Sequence, residues 1–366
     1  MHRRALLASL AGVLAAASPR SQALEPRALR FPADFGAHPA QRIEWWYVTG
    51  HLRAAPAQRL AAATDAPQFG FQITFFRSRT GIDPAHPSRF AASQLLFAHA
   101  ALTDLAGGRL HHDQRVARRG FGIAEYDEAD TRLRLRDWTL GRDGTPASSR
   151  YTAHLDAGAG FGWELTFTTT QPPLLQGDAG WSRKGTDPAQ ASLYYSQPQL
   201  SAAGRLRLDG RSLDVSGRAW LDHEWSDTLL DVEAVGWDWI GINLDDGSAL
   251  TAFRLRRADG QALYAGGSWR RAGEPARAFP ADAVRFTPQR HWTSPRSAAR
   301  YPVQWRVDTP AGSFDVVSLL EDQELDSRAS TGAIYWEGLS ELRDARGQRI
   351  GLGYLEMTGY AAALKL

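Results

Sequence analysis

Alternation of apolar and polar residues runs through most of the chain and predicts β-strands. The stretch 69–76 places Phe, Phe, Ile and Phe at every second position, and the stretches 132–136 and 163–168 alternate in the same way. Because successive strand side chains point to opposite faces, this period of two is typical of sheets. Turn dipeptides such as Asp209-Gly210 separate the strands at short intervals, which favours an all-β barrel or sandwich architecture.

A weak internal repeat suggests two related β-units. The stretches 44–52 and 236–244 are both rich in Trp, and each precedes a second apolar strand. The chain of 366 residues is long enough for two such units. We therefore predict an N-terminal unit over 24–228 and a C-terminal unit over 229–366.

The N-terminus has the pattern of an export signal. Residues 1–4 form a basic region, residues 5–17 are apolar and small, and Ser21-Gln22-Ala23 offers a cleavage site. The apolar stretch is too short to span a bilayer. The sequence 3–7 also resembles a twin-arginine signal, and an ordinary secretory signal remains the alternative. We expect residues 1–23 to be a signal peptide and the mature protein to be periplasmic or secreted.

Charge and cysteine content exclude several classes of partner. Removing residues 1–23 takes three of the 42 basic residues, which leaves about one net negative charge against 40 acidic residues. This balance argues against a nucleic-acid partner. There is no cysteine, so disulfides and thiolate metal sites are excluded. We expect a soluble monomer.

Two titratable side chains occupy positions where the strand pattern calls for apolar ones. His223 and Trp225 continue the apolar face of the run 213–221, and Asp238 falls in phase with Ile240. A carboxylate on a buried face must be paired or stay protonated. One hypothesis is that His223 and Asp238 form an acid/base pair with Trp225 beside it. The alternative is a structural hydrogen-bond network.

The 13 tryptophans suit barrel interiors and apolar ligand pockets. His99 shares a strand face with Phe97, so we expect it to point inward, as a core or ligand-contacting residue. Strict alternation puts Trp237 and Trp239 on the face opposite Asp238, so a bulge or a site between the two units is needed to unite them. The predicted lining of a lipophilic cavity is Trp45, Trp46, Phe97, His99, Trp225, Trp237 and Trp239.

No metal or cofactor is expected, and calcium bound by carboxylates is the alternative. Asp222, Glu224 and Asp227 lie close together, but no second His stands in ligand spacing with His223. The chain has no P-loop, dinucleotide fingerprint or nucleophile elbow. The long connection 171–185 is either a cap over a binding cavity or an exposed connector.

Six segments together resemble the carotenoid 1,2-hydratase (hydroxyneurosporene synthase) superfamily, and most closely its exported AttH-type branch. The similarity covers nearly all of the mature chain. The segments that carry it are 44–50, 69–76, 97–104, 220–226, 237–241 and 335–338.

The resemblance implies two lipocalin-like antiparallel barrels in tandem, with a cleft for a lipophilic ligand. Hydratases of this superfamily add water across a terminal C=C bond of a carotenoid without a cofactor, and related fungal pericyclases bind polyenes between the barrels. An inward His, the Trp two residues later and an Asp are implicated in the hydratases. The first two match His223 and Trp225, whereas Asp238 rests on the strand pattern alone.

The export signal departs from the hydratases, which act on membrane-borne pigment at the cytoplasmic side. The AttH-type branch is associated with ABC-type export permeases. The sequence therefore predicts an exported protein that binds a lipophilic small molecule and serves an ABC-type permease. The alternative is a cofactor-independent hydro-lyase that hydrates or cyclises a polyene or terpenoid by general-acid protonation.

Overall fold

The computed structural model describes residues 24–58, 68–228 and 230–364, and nearly all of its regular structure is β-strand. Helix is confined to two 3-10 turns in these residues, Ala33–Phe35 and Pro56–Gln58. The strands form two large antiparallel sheets. The prediction of an all-β protein is confirmed. The predicted signal peptide lies outside the described residues.

The first sheet, which we call the N-terminal barrel, is built in the order β4-β3-β2-β1-β13-β12-β9-β8-β7-β6-β5, with β10 and β11 added along β12. The sheet curls around one core, so that β6 comes back to β3 and β4. Its strands are β1 Ile43–Ala54, β2 Phe69–Arg79, β3 Gln94–Asp104, β4 Arg109–Arg118, β5 Ala124–Tyr126, β6 Arg132–Leu135, β7 Trp138–Thr145, β8 Ser148–Asp156, β9 Phe161–Thr168, β10 Leu174–Leu175, β11 Trp181–Arg183, β12 Ala191–Leu208 and β13 Arg211–Ser226.

The second sheet, the C-terminal barrel, has the order β17-β16-β15-β14-β23-β22-β20-β19-β18, with β21 added along β22. It encloses a separate apolar core. Its strands are β14 Gly236–Leu244, β15 Ala249–Arg256, β16 Ala262–Arg270, β17 Arg277–Ala278, β18 Arg285–Thr293, β19 Arg300–Thr309, β20 Gly312–Ser318, β21 Glu324–Ser327, β22 Ala333–Arg343 and β23 Arg349–Met357.

The side chains of strand β1 alternate between the core of the N-terminal barrel and the C-terminal barrel. Glu44, Trp46 and Val48 point into the N-terminal barrel, where all three are buried. Trp45 and Tyr47 point outward and pack in a separate apolar cluster with residues of the C-terminal barrel. Both faces of this strand are therefore covered, one by its own barrel and the other by the second barrel.

Polar side chains join the two barrels directly. Thr103 Oγ1 on β3 lies 2.8 Å from Gln323 Oε1, and the backbone N–H of Gln199 on β12 donates to Asn243 Oδ1 at 2.7 Å. Within the described residues, no helix has the length and apolar character needed to cross a bilayer.

Gly70 on β2 lies where the two barrels pack tightly against each other. A Cβ atom at this position would lie 2.8 Å from both Leu339 Cβ and the Tyr354 hydroxyl oxygen. Real Cβ atoms do not make contacts that short, so the interface requires glycine at position 70.

Candidate functional site

A cavity of about 340 Å³ lies between the two barrels. Its walls come from the outer faces of both sheets, chiefly β1, β2, β3 and β13 on one side and β14, β15, β22 and β23 on the other. Most of the lining surface is apolar. The aromatic side chains on the walls are Trp45, Tyr47, Phe76, Phe97, Tyr194, Trp237, Trp239, Phe253 and Tyr335.

Five of the residues predicted to line a ligand cavity do line this one: Trp45, Phe97, His99, Trp237 and Trp239. Trp237 and Trp239 point away from the core of their own barrel, as strict alternation required. The position of the cavity between the barrels, rather than a bulge, brings them together with Trp45 and Phe97.

His99 points the opposite way from the prediction. Alternate residues of β3, including Leu96 and Ala98, fill the barrel core, so His99 faces the second barrel. Its Nδ1 lies 2.8 Å from the Tyr335 hydroxyl and its Nε2 lies 2.9 Å from Ser330 Oγ. Burial lowers the pKa of His99 to about 3, so the ring is neutral and links the barrels by hydrogen bonds.

The other predicted site residues lie inside the barrels and not on the cavity wall. Trp46, His223 and Trp225 belong to the N-terminal barrel interior, where Trp46 stacks on His223 with ring centroids 4.5 Å apart. Asp238 lies inside the C-terminal barrel and is fully buried. Trp46 and Trp225 were expected among the ligand-lining tryptophans, and the structure places both in the core instead.

His223 belongs to a network centred on Glu44. Its Nε2 lies 2.9 Å from Glu44 Oε1 and its Nδ1 lies 3.1 Å from the Tyr195 hydroxyl. His38 Nδ1 reaches the same Glu44 oxygen at 2.7 Å, and Arg77 Nε donates to Glu44 Oε2 at 2.8 Å. Burial lowers the pKa of His223 to about 4, against the opposing effect of Glu44.

Ionised Glu44 is what stabilises this buried network. Burial by itself would raise the pKa of Glu44, but the hydrogen bonds from His223 and His38 hold it well below its usual range. Trp225 covers the group from one side, with its ring stacked 3.6 Å from that of His38. His223 and Trp225 are thus tied into a satisfied polar core.

Among the described residues, His38, Glu44 and His223 are also the group whose potential metal-ligand atoms converge, all within 4.8 Å of one another. Donor atoms around a tetrahedral zinc ion lie about 3.3 Å apart, since Zn–N and Zn–O bonds are about 2.0–2.2 Å. The two imidazole nitrogens lie only 2.7 and 2.9 Å from the carboxylate oxygen, which are hydrogen-bond distances. The spacing therefore fits a hydrogen-bond network better than a metal centre.

The hypothesis that His223 and Asp238 form a pair is wrong. Asp238 Oδ2 accepts from Arg254 Nε at 2.7 Å and Oδ1 accepts from the Tyr360 hydroxyl at 2.8 Å. His223 has both ring nitrogens engaged by Glu44 and Tyr195, in the other barrel. Strand phase was read correctly for both residues, but each faces the core of a different barrel.

Two acidic residues on the cavity wall were missed by the sequence reasoning. Glu337 on β22 and Glu356 on β23 are direct cross-strand partners on the face that meets the N-terminal barrel. Burial, together with the like charge of its partner, raises the pKa of Glu337 well above its usual range. Burial also raises the pKa of Glu356, and the carboxylates of Asp222 and Glu224 add to the effect.

Asp222 on β13 is a third carboxyl group of the cavity. It accepts hydrogen bonds from Trp220 Nε1 at 2.7 Å, Ser196 Oγ at 2.5 Å and the Tyr194 hydroxyl at 2.8 Å. Burial outweighs these hydrogen bonds and raises the pKa of Asp222 to about 7. Burial therefore favours the protonated form of this group more than in an exposed carboxylate.

Lys184 supplies a cationic group on this wall. Its Nζ lies 2.9 Å from Glu224 Oε1 and 4.4 Å from the centre of the Phe253 ring. The connection 171–185, which carries Lys184, also reaches the C-terminal barrel, where Gln171 Nε2 donates to the Gly247 carbonyl at 2.7 Å. The structure therefore favours the prediction that this segment caps the cavity over the alternative that it is an exposed connector.

A signal for some of these residues was present in the sequence. The face of β13 opposite the core carries Trp220, Asp222 and Glu224 in succession. A large aromatic residue followed by two carboxyl groups is unusual for a solvent-facing strand. Glu337 lies within the segment 335–338, which carries the family resemblance. No pattern in the sequence pairs it with Glu356, because their contact depends on sheet register.

The comparisons with known proteins agree with this architecture. The AttH-like family model matches residues 22–360, so the chain belongs to the AttH-like family. It is similar to the crystal structure of an AttH protein from Nitrosomonas europaea, with 45% identity and a TM-score of 0.82 over 92% of this chain and 99% of that one. No curated protein sequence matches the chain.

More distant structures share the fold. Kievitone hydratase from Nectria haematococca has a TM-score of 0.67 at 15% identity, over 92% of this chain and 94% of that one. CghA in complex with Sch210972 has a TM-score of 0.52 at 16% identity, over 87% and 88% of the two chains. The protein therefore has the lipocalin-like fold of the hydratase type.

Proposed function

We propose that the protein binds a lipophilic small molecule in the cavity between the barrels. The observation that carries this proposal is the wall itself, in which Trp45, Phe97, Trp237 and Trp239 form a largely apolar enclosure with a few charged groups. Its volume of about 340 Å³ lies within the range of small-molecule sites. Lys184 and the carboxyl groups provide specific anchors for a polar end of the ligand.

The cavity suits a ligand with an unsaturated or ring-containing body. Trp239 meets Tyr47 edge to face, with ring centroids 5.5 Å apart at 90°, so the wall is rigid and presents π faces. Flat conjugated molecules bury more surface against such walls than saturated chains do. Polyenes and quinones are therefore the favoured ligand classes, ahead of fatty acids.

The test is a titration of tryptophan emission with a polyene, a quinone and a fatty acid. Because several cavity walls are tryptophan, binding should quench or shift emission in a saturable way. The Trp237→Phe variant should keep most of the affinity but change the amplitude. If no ligand changes emission up to its solubility limit, the binding proposal is wrong.

A second candidate function is acid-catalysed addition of water to an alkene. The specific observation favouring it is the pair of buried carboxyl groups, Glu337 and Glu356, beside aromatic walls. In this mechanism protonated Glu337 gives its proton to one alkene carbon, and the π electrons form the new C–H bond. Water adds to the resulting carbocation, and the proton it loses restores the carboxylic acid.

The surroundings of the acid pair fit that chemistry. A buried acid that stays protonated near neutral pH is a competent proton donor, and the π faces of Trp237 and Trp239 stabilise a cation. Kievitone hydratase, which shares the fold, is by name a hydratase, and CghA is found with Sch210972. These likenesses support the proposal at the level of fold, since the same fold hosts different functions.

Glu337→Gln separates the two functions. For an enzyme, turnover of an alkene substrate should fall by a factor of about 100 or more, while ligand affinity stays within about tenfold, since the proton transfer belongs to the transition state. For a binding protein, no hydrated product forms with either protein. Mass spectrometry of a candidate alkene incubated with wild type, with a shift of one water as the signature, distinguishes them.

We also propose, from the family resemblance and the N-terminal sequence, that the protein works in the periplasm or outside the cell and serves an ABC-type permease. Affinity purification from the native envelope tests this, with recovery of a permease subunit as the expected result. Recovery only from the cytoplasmic fraction would contradict it.

A further inference from the structure

Exposed apolar side chains gather on one end of the N-terminal barrel. Six large apolar side chains in the described part of the chain are strongly exposed, and five of them come from β4 and the two connections β2–β3 and β4–β5. The sixth, Val232, lies in the link between the barrels. The five are Ile82, Phe90, Val116, Phe121 and Ile123.

The two phenylalanines form an organised pair at the surface. The rings of Phe90 and Phe121 stack with centroids 5.8 Å apart at 14°. The Arg118 guanidinium lies over both rings, at 5.1 Å from Phe90 and 4.2 Å from Phe121. Arg118 also donates to the Arg89 carbonyl at 3.1 Å, which ties the two loops together.

Three arginines of this patch carry positive charge with no carboxylate in ion-pair contact. In the described residues, the ion pairs within 4 Å do not include Arg89, Arg118 or Arg119, whereas Arg134 lies directly across the strands from Glu125. Arg119 contacts the Tyr126 ring and hydroxyl, and Arg134 donates to the Gly122 carbonyl. Asp83 lies in the β2–β3 connection, where its carboxylate caps the Ala85 N–H.

Strand register connects this patch with the inter-barrel cavity. Phe97 on the cavity wall is the cross-strand partner of Val116, and the next pair on the same face is Leu95 with Arg118. Paired residues share a face, so one row of side chains leads from the cavity wall to the exposed aromatic pair.

We infer that this patch docks the protein on the surface of an anionic phospholipid bilayer. Exposed aromatic rings enter the headgroup region of a bilayer, and arginines beside them attract anionic lipids. The uncompensated charge favours this occupant over a neutral apolar partner. The inference goes beyond the proposed function and does not depend on what the cavity holds, although docking would bring the cavity's Phe97 side close to a source of lipophilic molecules.

The test is sedimentation of the protein with vesicles of phosphatidylcholine alone or of phosphatidylcholine and phosphatidylglycerol in equal amounts. Binding should require phosphatidylglycerol and weaken as salt is raised, since salt screens surface charge. The Phe90→Ser, Phe121→Ser double variant and Arg118→Glu should each weaken binding by about tenfold or more. The control is Val232→Ser, which removes an equally exposed apolar side chain elsewhere and should leave binding unchanged.

Three outcomes would overturn the inference. The first is no sedimentation of wild type with anionic vesicles. The second is a loss of vesicle binding in the Val232→Ser control that equals the loss in the patch variants. The third is light scattering that shows the patch variants abolishing self-association without any vesicle binding, which would make this face an interface between copies. Because the substituted side chains are exposed, unchanged thermal unfolding should verify that each variant folds, and cavity titration in solution reports separately on ligand binding.

Discussion

Glu337 on β22 and Glu356 on β23 lie directly opposite each other in the C-terminal sheet, and both face the cavity between the barrels. Cross-strand partners have Cβ atoms about 5 Å apart, so their carboxyl groups cannot both ionise without strong repulsion. One side-chain oxygen of Glu337, Oε1, is buried without a hydrogen-bond partner. Both effects favour a protonated carboxyl group in this pair.

This pair makes folding stability depend on pH in a defined direction. A carboxyl group whose pKa is raised in the folded protein binds more protons folded than unfolded, so its contribution to stability is lost as pH rises above its usual pKa. For Glu337 that window opens near 4.5, the ordinary value. The Glu337→Gln variant cannot ionise at this position. Its free energy of unfolding should therefore rise relative to that of wild type by up to about 1.4 kcal/mol for each pH unit above this pKa.

Chemical denaturation at several pH values between 5 and 8 measures this difference. The matched control is Glu128→Gln, which removes an exposed carboxylate in the connection between β5 and β6 and should show no such trend. A stability difference between Glu337→Gln and wild type that stays constant over this range would contradict the raised pKa.

Truncating a cavity tryptophan should weaken ligand binding selectively. Trp237→Ala removes apolar surface worth about 1.5–3 kcal/mol, which corresponds to roughly 10–100-fold in Kd. Isothermal titration calorimetry is the suitable measurement, because the substitution also alters tryptophan emission. Trp292→Ala is the control, since Trp292 packs against Tyr301 in the C-terminal barrel away from the cavity. Equal losses for the two variants would argue against ligand binding between the barrels.

His223 and Asp238 should act independently, because they belong to separate networks. Asp238→Asn deprives buried Arg254 of its carboxylate partner and should destabilise the protein by about 3–5 kcal/mol. His223→Gln should cost about 1–3 kcal/mol through imperfect hydrogen bonding to Glu44. In a double-mutant cycle of unfolding free energies, the coupling should stay within about 0.5 kcal/mol. A coupling well above that value would restore the direct pair.

The close packing of the barrels should make Gly70 intolerant of a methyl group. Gly70→Ala should destabilise the protein by about 1–3 kcal/mol, since the new Cβ overlaps Leu339 and Tyr354. Gly141→Ala is the matched control: it also lies in a strand of the N-terminal barrel, but its nearest neighbour to a new Cβ is Thr152 Oγ1 at 3.7 Å. Denaturant midpoints compare the two, and similar values for both variants would mean that the barrels do not meet as closely as described.

The local pattern of residues was enough to predict the strands and the phase of most of them. Alternation along β1 and β14 identified which residues share a face, and it put Asp238 correctly on the side opposite Trp237 and Trp239. Turn dipeptides and aromatic strands were enough to predict an all-β protein with two units. These features are local, because strand period and turn conformation depend on neighbouring residues alone.

Which face of each strand forms the site depends on how the two barrels pack against each other. Along β3 the sequence shows apolar side chains on both faces, so nothing local says whether His99 points into its own barrel or toward the second one. The answer depends on burial of the outer face against β22, which brings Tyr335 to His99. For the same reason, His223 and Asp238 were both predicted to point inward but lie in the cores of different barrels. Glu337 and Glu356 lie side by side because of the register between β22 and β23. A one-dimensional pattern gives the face of each strand, but the identity of the surface that covers that face is a long-range property of packing.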